Sequence, residues 1–87
     1  MENNNVLFLE SNEFHEIVID DHLVPYLKAY RTGVDEWSLS LDNRFVVSNC
    51  SKEELKKWVW FIANAMAIAA GYTSFGKNSK PYNRFGN

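Results

Sequence analysis

The sequence predicts an α+β fold in which antiparallel β-hairpins form a small sheet packed on one long C-terminal helix, followed by an irregular tail. Three observations carry that prediction. Short β-branched and aromatic segments alternate with turn residues through the first fifty positions. A capping-box sequence, Ser51-Lys52-Glu53-Glu54, then opens a helical run. Finally, Trp58–Ala70 reads WVWFIANAMAIAA, thirteen residues of which only Asn64 is polar. The 87 residues fit one domain over residues 1–71 with a basic aromatic tail over 72–87, and 46% hydrophobic content is ample for a core.

Val6–Glu10 and Phe14–Ile19, separated by Ser11-Asn12-Glu13, read as the strands of a first hairpin. Asp20-Asp21 resembles a helix cap, and Leu23, Leu27 and Tyr30 follow helical spacing as far as Gly33. A short helix is therefore expected there, with Pro25 tolerated in its first turn and an extended Tyr26–Arg31 as the competing reading. Glu36–Leu41 and Arg44–Ser48 form the clearest hairpin, giving four strands in all. A three-residue loop, Leu41-Asp42-Asn43, would set Leu39 opposite Phe45 and Trp37 opposite Val47. It is preferred to a two-residue Asp42-Asn43 loop, which would leave Phe45 and Val47 on the face of Ser38 and Ser40. Gly71 is the expected stop of the long helix.

That helix sets the functional expectation. A surface helix should carry one apolar stripe and one polar face, yet this one is apolar nearly all round, and so short a chain has little with which to cover it. Leu55, Trp58, Val59, Ile62, Met66 and Ala69 are assigned to the sheet. Trp60 and Asn64, with the small-residue row Ala63, Ala67 and Gly71, are assigned to a second face that another subunit would cover. The bland alternative is that alanine is simply the best helix former and the tail covers this side.

The tail interleaves Tyr72, Phe75, Tyr82 and Phe85 with Lys77, Lys80 and Arg84. Stacking rings with cations suit a small anionic, nucleotide-like ligand, for which Tyr72, Ser74, Phe75, Lys77, Lys80 and Arg84 are the candidate contacts. The same residues could equally pin the tail to the acidic first half, where residues 1–42 hold nine acids against Lys28 and Arg31. The net charge of −2 argues against nucleic acid.

Other chemistry is thinly represented. His15 and His22 stand among Glu16, Asp20 and Asp21 without the spacing of a metal site, and neither metal nor cofactor is expected. The single Cys50 cannot form an intramolecular disulfide. It precedes a helix whose first turn holds Glu53 and Glu54, which oppose a thiolate. With no basic-plus-apolar leader and an apolar run too short for a bilayer, the cytoplasm is the simplest address and no membrane partner is expected. The expectation is a non-enzymatic, homo-oligomeric interaction module. By analogy it is of the inhibitor or adaptor type that phages and mobile elements encode, with the small-ligand binder as alternative.

Overall fold

The computed structural model describes residues 5–81, a five-stranded antiparallel sheet with one helix, and the fold is α+β. Strands β1 (Val6–Glu10), β2 (His15–Ile19), β3 (His22–Gly33), β4 (Glu36–Leu41) and β5 (Arg44–Cys50) pair in chain order as a meander, and α1 (Lys52–Ala69) follows. Five strands replace the expected four, because the segment expected to form a short helix is β3.

The reason lies in the turn chemistry. Asp20 and Asp21 both adopt left-handed backbone (φ 51° and 66°) and close a two-residue hairpin between Ile19 and His22 instead of capping a helix. Such turns match the natural twist of paired strands, and aspartate tolerates the conformation. Downstream, the β2–β3 register shifts between Val18↔Leu23 and Glu16↔Lys28, so β3 bulges around Pro25 and Tyr26, the latter at φ 70°. A proline in a sheet needs such a place, since it has no N–H to give the ladder. The bulge spaces Val24, Leu27 and Ala29 unevenly while keeping all three buried; of the residues at helical spacing only Leu27 reaches the core, Leu23 being exposed and Tyr30 packing on Phe14 and Phe45 on the sheet's other face.

The β4–β5 hairpin corrects a second expectation. Its loop is the two-residue Asp42-Asn43, both left-handed (φ 53° and 68°), with Leu41 opposite Arg44 and Ser40 opposite Phe45. A register shift at Leu39/Ser40 then turns Val47 back inward, opposite Leu39, and Trp37 pairs with Cys50 rather than Val47. Phe45 thus stays on the outer face with Ser40 without costing Val47 its place against the core.

Helix α1 packs on the sheet against β4, β5 and β1. The capping box forms as expected, with Ser51 Oγ accepting the Glu54 N–H at 3.2 Å and Glu54 Oε1 accepting the Ser51 N–H at 3.1 Å. Asp35, in the β3–β4 turn, accepts the Lys52 N–H at 3.0 Å and ties the helix start to one end of the sheet. The core between helix and sheet holds Val6, Ile17, Ile19, Val24, Leu27, Ala29, Trp37, Leu39, Leu55 and Val59.

The helix is rotated relative to the expected assignment. Its buried row is Leu55, Val59, Ala63 and Ala67: Ala63 is fully buried in the core, and Ala67, 9% exposed, lies beside the segment that follows the helix, so neither alanine is presented to a neighbour. Trp60, Ile62 and Met66 flank that row, partly buried. Trp58 and Ala69, assigned to the sheet from sequence, lie exposed. The small side chain of Ala63 fits the helix against the core at mid-length, which an all-apolar wheel does not reveal beforehand.

The sheet's other face carries its own aromatic row. Tyr30 packs on Phe14 (ring centroids 6.3 Å) and on Phe45 (5.2 Å), with Lys28 Nζ 4.7 Å above the Phe14 ring and Ser38 and Ser40 buried on the same face.

Candidate functional site

The distinctive region is the end of α1 and the segment that folds back from it. Gly71 (φ 99°) terminates the helix. Its N–H donates to Ile68 O at 3.0 Å and the Tyr72 N–H donates to Ala67 O at 2.9 Å, the paired bonds of a Schellman stop. From there the chain forms a narrow loop. Tyr72 bridges Pro81, the Thr73 N–H donates to Lys80 O (2.8 Å), and the Lys80 N–H donates to Thr73 Oγ1 (3.1 Å).

Two side chains clasp this loop to the body. Asn64, the lone polar residue of the apolar run, donates from Nδ2 to Trp60 O at 2.7 Å and accepts the Phe75 N–H on Oδ1 at 2.8 Å. Asp20, in the β2–β3 turn, accepts the Lys77 N–H on Oδ2 at 3.2 Å and the Asn5 side-chain amide on Oδ1. His22 Nδ1 donates to the Asp20 carbonyl at 2.7 Å, and its ring meets Phe75 edge-on with centroids 6.4 Å apart. Gly76 between these anchors has φ 115°, and a Cβ there would lie 2.5 Å from Asp20 Oδ2; both facts require glycine.

The clasped loop divides the surface into two concavities. A cleft of about 510 Å³ is lined by His22, Met66, Ala70, Tyr72, Phe75 and Lys77, with Ser74 at its wall. The ligand residues expected from sequence separate here. Tyr72, Ser74, Phe75 and Lys77 converge on the cleft, Lys80 is not among its lining residues, and Arg84 lies outside the described residues, as do Tyr82 and Phe85. The cleft's one lysine stands beside Asp20 and Asp21, which with Asn5, Leu7 and His22 border an adjoining hollow. The backbone amides of Phe75 and Lys77 are already bonded to Asn64 and Asp20 and so are not free to bind a phosphate.

On the loop's other side a groove of about 640 Å³ runs between the helix and Thr73–Phe75, floored by Trp60, Phe61, Asn64, Ala65 and Ile68. It belongs to a longer exposed stripe. Trp58 is 47% exposed, Phe61 65% and Ile68 60%, and with Ala65 they recur at alternating spacings of three and four residues, whereas Tyr72, 47% exposed, stands beyond the left-handed Gly71 on the cleft side of the loop. That is the spacing at which a helix presents a seam to a second helix. The stripe went unassigned from sequence because Trp58 was given to the sheet and the small residues to the interface. The three-four spacing was nevertheless a readable signal. Of the expected interface residues, Trp60 and Asn64 border the groove, Gly71 is exposed at the helix stop, and Ala63 and Ala67 turn inward.

Cys50 has the opposite character to a reactive thiol. It is buried, its Sγ donates to Trp37 O at 3.6 Å, and desolvation followed by the Glu54 carboxylate pushes its pKa up. Among the described residues no His, Cys, Asp and Glu group is arranged to hold a metal ion, and no helix is long and apolar enough to cross a membrane. No protein-family model matches the chain, and neither does any curated protein or solved structure.

Proposed function

We propose that this chain is a non-enzymatic interaction module of the inhibitor or adaptor type, working as a homo-oligomer through the outer stripe of α1. One observation carries the reading: three large apolar side chains of α1, Trp58, Phe61 and Ile68, stand about half or more exposed at helix-seam spacing with Ala65. The sheet's open face competes less well, because of its aromatic row only Phe45 is mostly exposed, Tyr30 packing on Phe14 and Phe45 and Lys28 standing over Phe14. Phe61→Glu places a charge at the centre of the stripe without touching the core. The variant should melt as the parent does and run at monomer mass by light scattering. A parent that is itself monomeric, or a variant with unchanged oligomeric mass, overturns the assignment. Trp60→Glu is a poorer test, since Trp60 is partly buried against the core and its loss would disturb the fold.

A second reading rests on the cleft, where Tyr72, Ser74, Phe75 and Lys77 meet. It would hold a small anionic, nucleotide-like ligand between two rings and one cation. Asp20 and Asp21 beside Lys77 weaken the field available to an anion, which ranks this reading second. A nucleotide present at one hundred times its Kd should stabilise the fold by about 2.7 kcal/mol. A nucleotide series that leaves the melting temperature unmoved at millimolar concentration removes it.

A further inference from the structure

Resting on the second reading, in which the cleft holds a small anionic ligand, we propose that this ligand is an aromatic carboxylic acid: a flat, mainly apolar body with a single carboxylate and one hydroxyl or N–H donor. The walls of the cleft are apolar and come from three elements. Pro25 enters from the bulge of β3, Met66, Ala67 and Ala70 from the end of α1, and Phe75 from the loop. Bulges are common beside binding sites because they re-aim a side chain. The volume of about 510 Å³ falls within the roughly 300–1,000 Å³ of small-molecule sites. Alanines at positions 67 and 70 keep that space open on the helix side. The loop wall is fixed by the bonds from Asn64 to the Phe75 N–H and from Asp20 to the Lys77 N–H, so a ligand meets a formed cleft and binds without the cost of ordering one.

Charge decides how many negative groups can enter. Among the described residues Lys77 is the one cation of the lining. Asp20 and Asp21 border the adjoining hollow that Lys77 and His22 also line. One negative charge is balanced by Lys77, whereas the second charge of a phosphate monoester, and the further charges of a polyphosphate, meet the field of the two aspartates. A phosphate would also draw on free backbone amides, and those of Phe75 and Lys77 are engaged. A carboxylate needs only the lysine, with the Ser74 and Ser79 hydroxyls of the lining as further donors.

His22 sets the remaining polar demand. Its Nδ1 donates to the Asp20 carbonyl at 2.7 Å, so the neutral ring offers Nε2 solely as an acceptor. A hydroxyl or ring N–H on the ligand satisfies that acceptor, and a second carboxylate does not.

A heteronuclear NMR titration with a hydroxynaphthoate, its hydroxyl and carboxylate at opposite ends of the fused rings, tests the assignment. Saturating amide shifts are expected at Met66, Ala70, Phe75 and Lys77, with a Kd of about 1 mM or below at ordinary ligand efficiency. Naphthoate, without the hydroxyl, should bind about two- to tenfold more weakly. AMP should bind more weakly than either. Lys77→Gln keeps the backbone N–H that Asp20 holds; it should weaken the hydroxynaphthoate about two- to fivefold and leave uncharged naphthol unmoved. Ala70 is exposed at the helix C-cap in right-handed backbone, so Ala70→Leu should fill the cleft and abolish binding while melting as the parent does. AMP binding as tightly as the acid overturns the single-carboxylate class and leaves the nucleotide-like reading standing. Equal affinity for acid and naphthol, or shifts confined to Phe61, Ala65 and Ile68, also overturns the proposal. No shift with any of these compounds at about 10 mM removes both the proposal and the reading of the cleft on which it rests.

Discussion

Replacing Asn64 with alanine separates the clasp from the helix that carries it, because the two effects of the substitution have opposite signs. Alanine is the better helix former, by at most about 0.7 kcal/mol for an ordinary residue, so on local grounds the variant should gain stability. Against this, the Phe75 N–H loses its acceptor at 2.8 Å in a part-buried setting, and the Trp60 carbonyl loses a donor at 2.7 Å. An orphaned buried donor costs about 1–3 kcal/mol. The loss exceeds the gain, and the expected net effect is a destabilisation of about 1–2 kcal/mol. For a domain of this size each kcal/mol moves the melting temperature by about 4–8 °C, so thermal melting followed by circular dichroism should show a fall of roughly 5–15 °C. Hydrogen exchange adds a local readout: the Phe75 amide should lose protection while core amides such as Leu39 and Leu55 keep most of theirs. A variant that melts at or above the parent temperature with Phe75 still protected would show that Asn64 does not hold the loop.

The two glycines of this region should respond differently. Gly76→Ala meets both a left-handed backbone and the Asp20 carboxylate at 2.5 Å, whereas a Cβ at Gly71 meets nothing within 4 Å and bears only the cost of its φ of 99°. Gly76→Ala is therefore expected to cost about 2–3 kcal/mol and Gly71→Ala about 1 kcal/mol in urea unfolding; equal costs would remove the close approach to Asp20. For Cys50, burial and then Glu54 raise the folded thiol's pKa, so the fold prefers the neutral form. Its contribution is fully present below the unfolded thiol value and is lost as pH rises through the folded one. Stability should decline above about pH 9 more steeply in the parent than in Cys50→Ser, and iodoacetamide should alkylate the native protein far more slowly than the urea-unfolded chain. Identical slopes, or equal alkylation rates, would contradict the assignment.

The features legible from the sequence were those fixed by local chemistry. Ser51 and Glu54 sit three apart and can satisfy each other's backbone, and Gly71 is suited to the left-handed stop, so both ends of α1 were readable. The β1–β2 strands were readable because β-branched and aromatic residues cluster between polar turns. What failed depended on partners distant in sequence. The bulge of β3 around Pro25 and Tyr26 exists because Val24 and Leu27 must both reach the core, and that requirement appears only once the sheet is formed. The rotation of α1 could not be read from a wheel apolar on every side; it is decided by which row enters the core, and Leu55, Val59 and Ala63 do. Asn64 had been given to an intermolecular face, yet it bonds the chain's own loop. Asp20 is expected as a helix cap, whereas it closes a hairpin and holds the backbone of Lys77, 57 residues away and beyond any local signal.

Solution mass as a function of concentration tests the central claim most directly, since that claim has the exposed Trp58, Phe61 and Ile68 of α1 covered by another copy of the chain. Sedimentation equilibrium of the parent chain from about 1 to 200 μM should show the mass rising from 10.1 kDa towards twice that value, with Phe61→Glu remaining at 10.1 kDa throughout. A parent that holds 10.1 kDa across the whole range would contradict self-association through the helix.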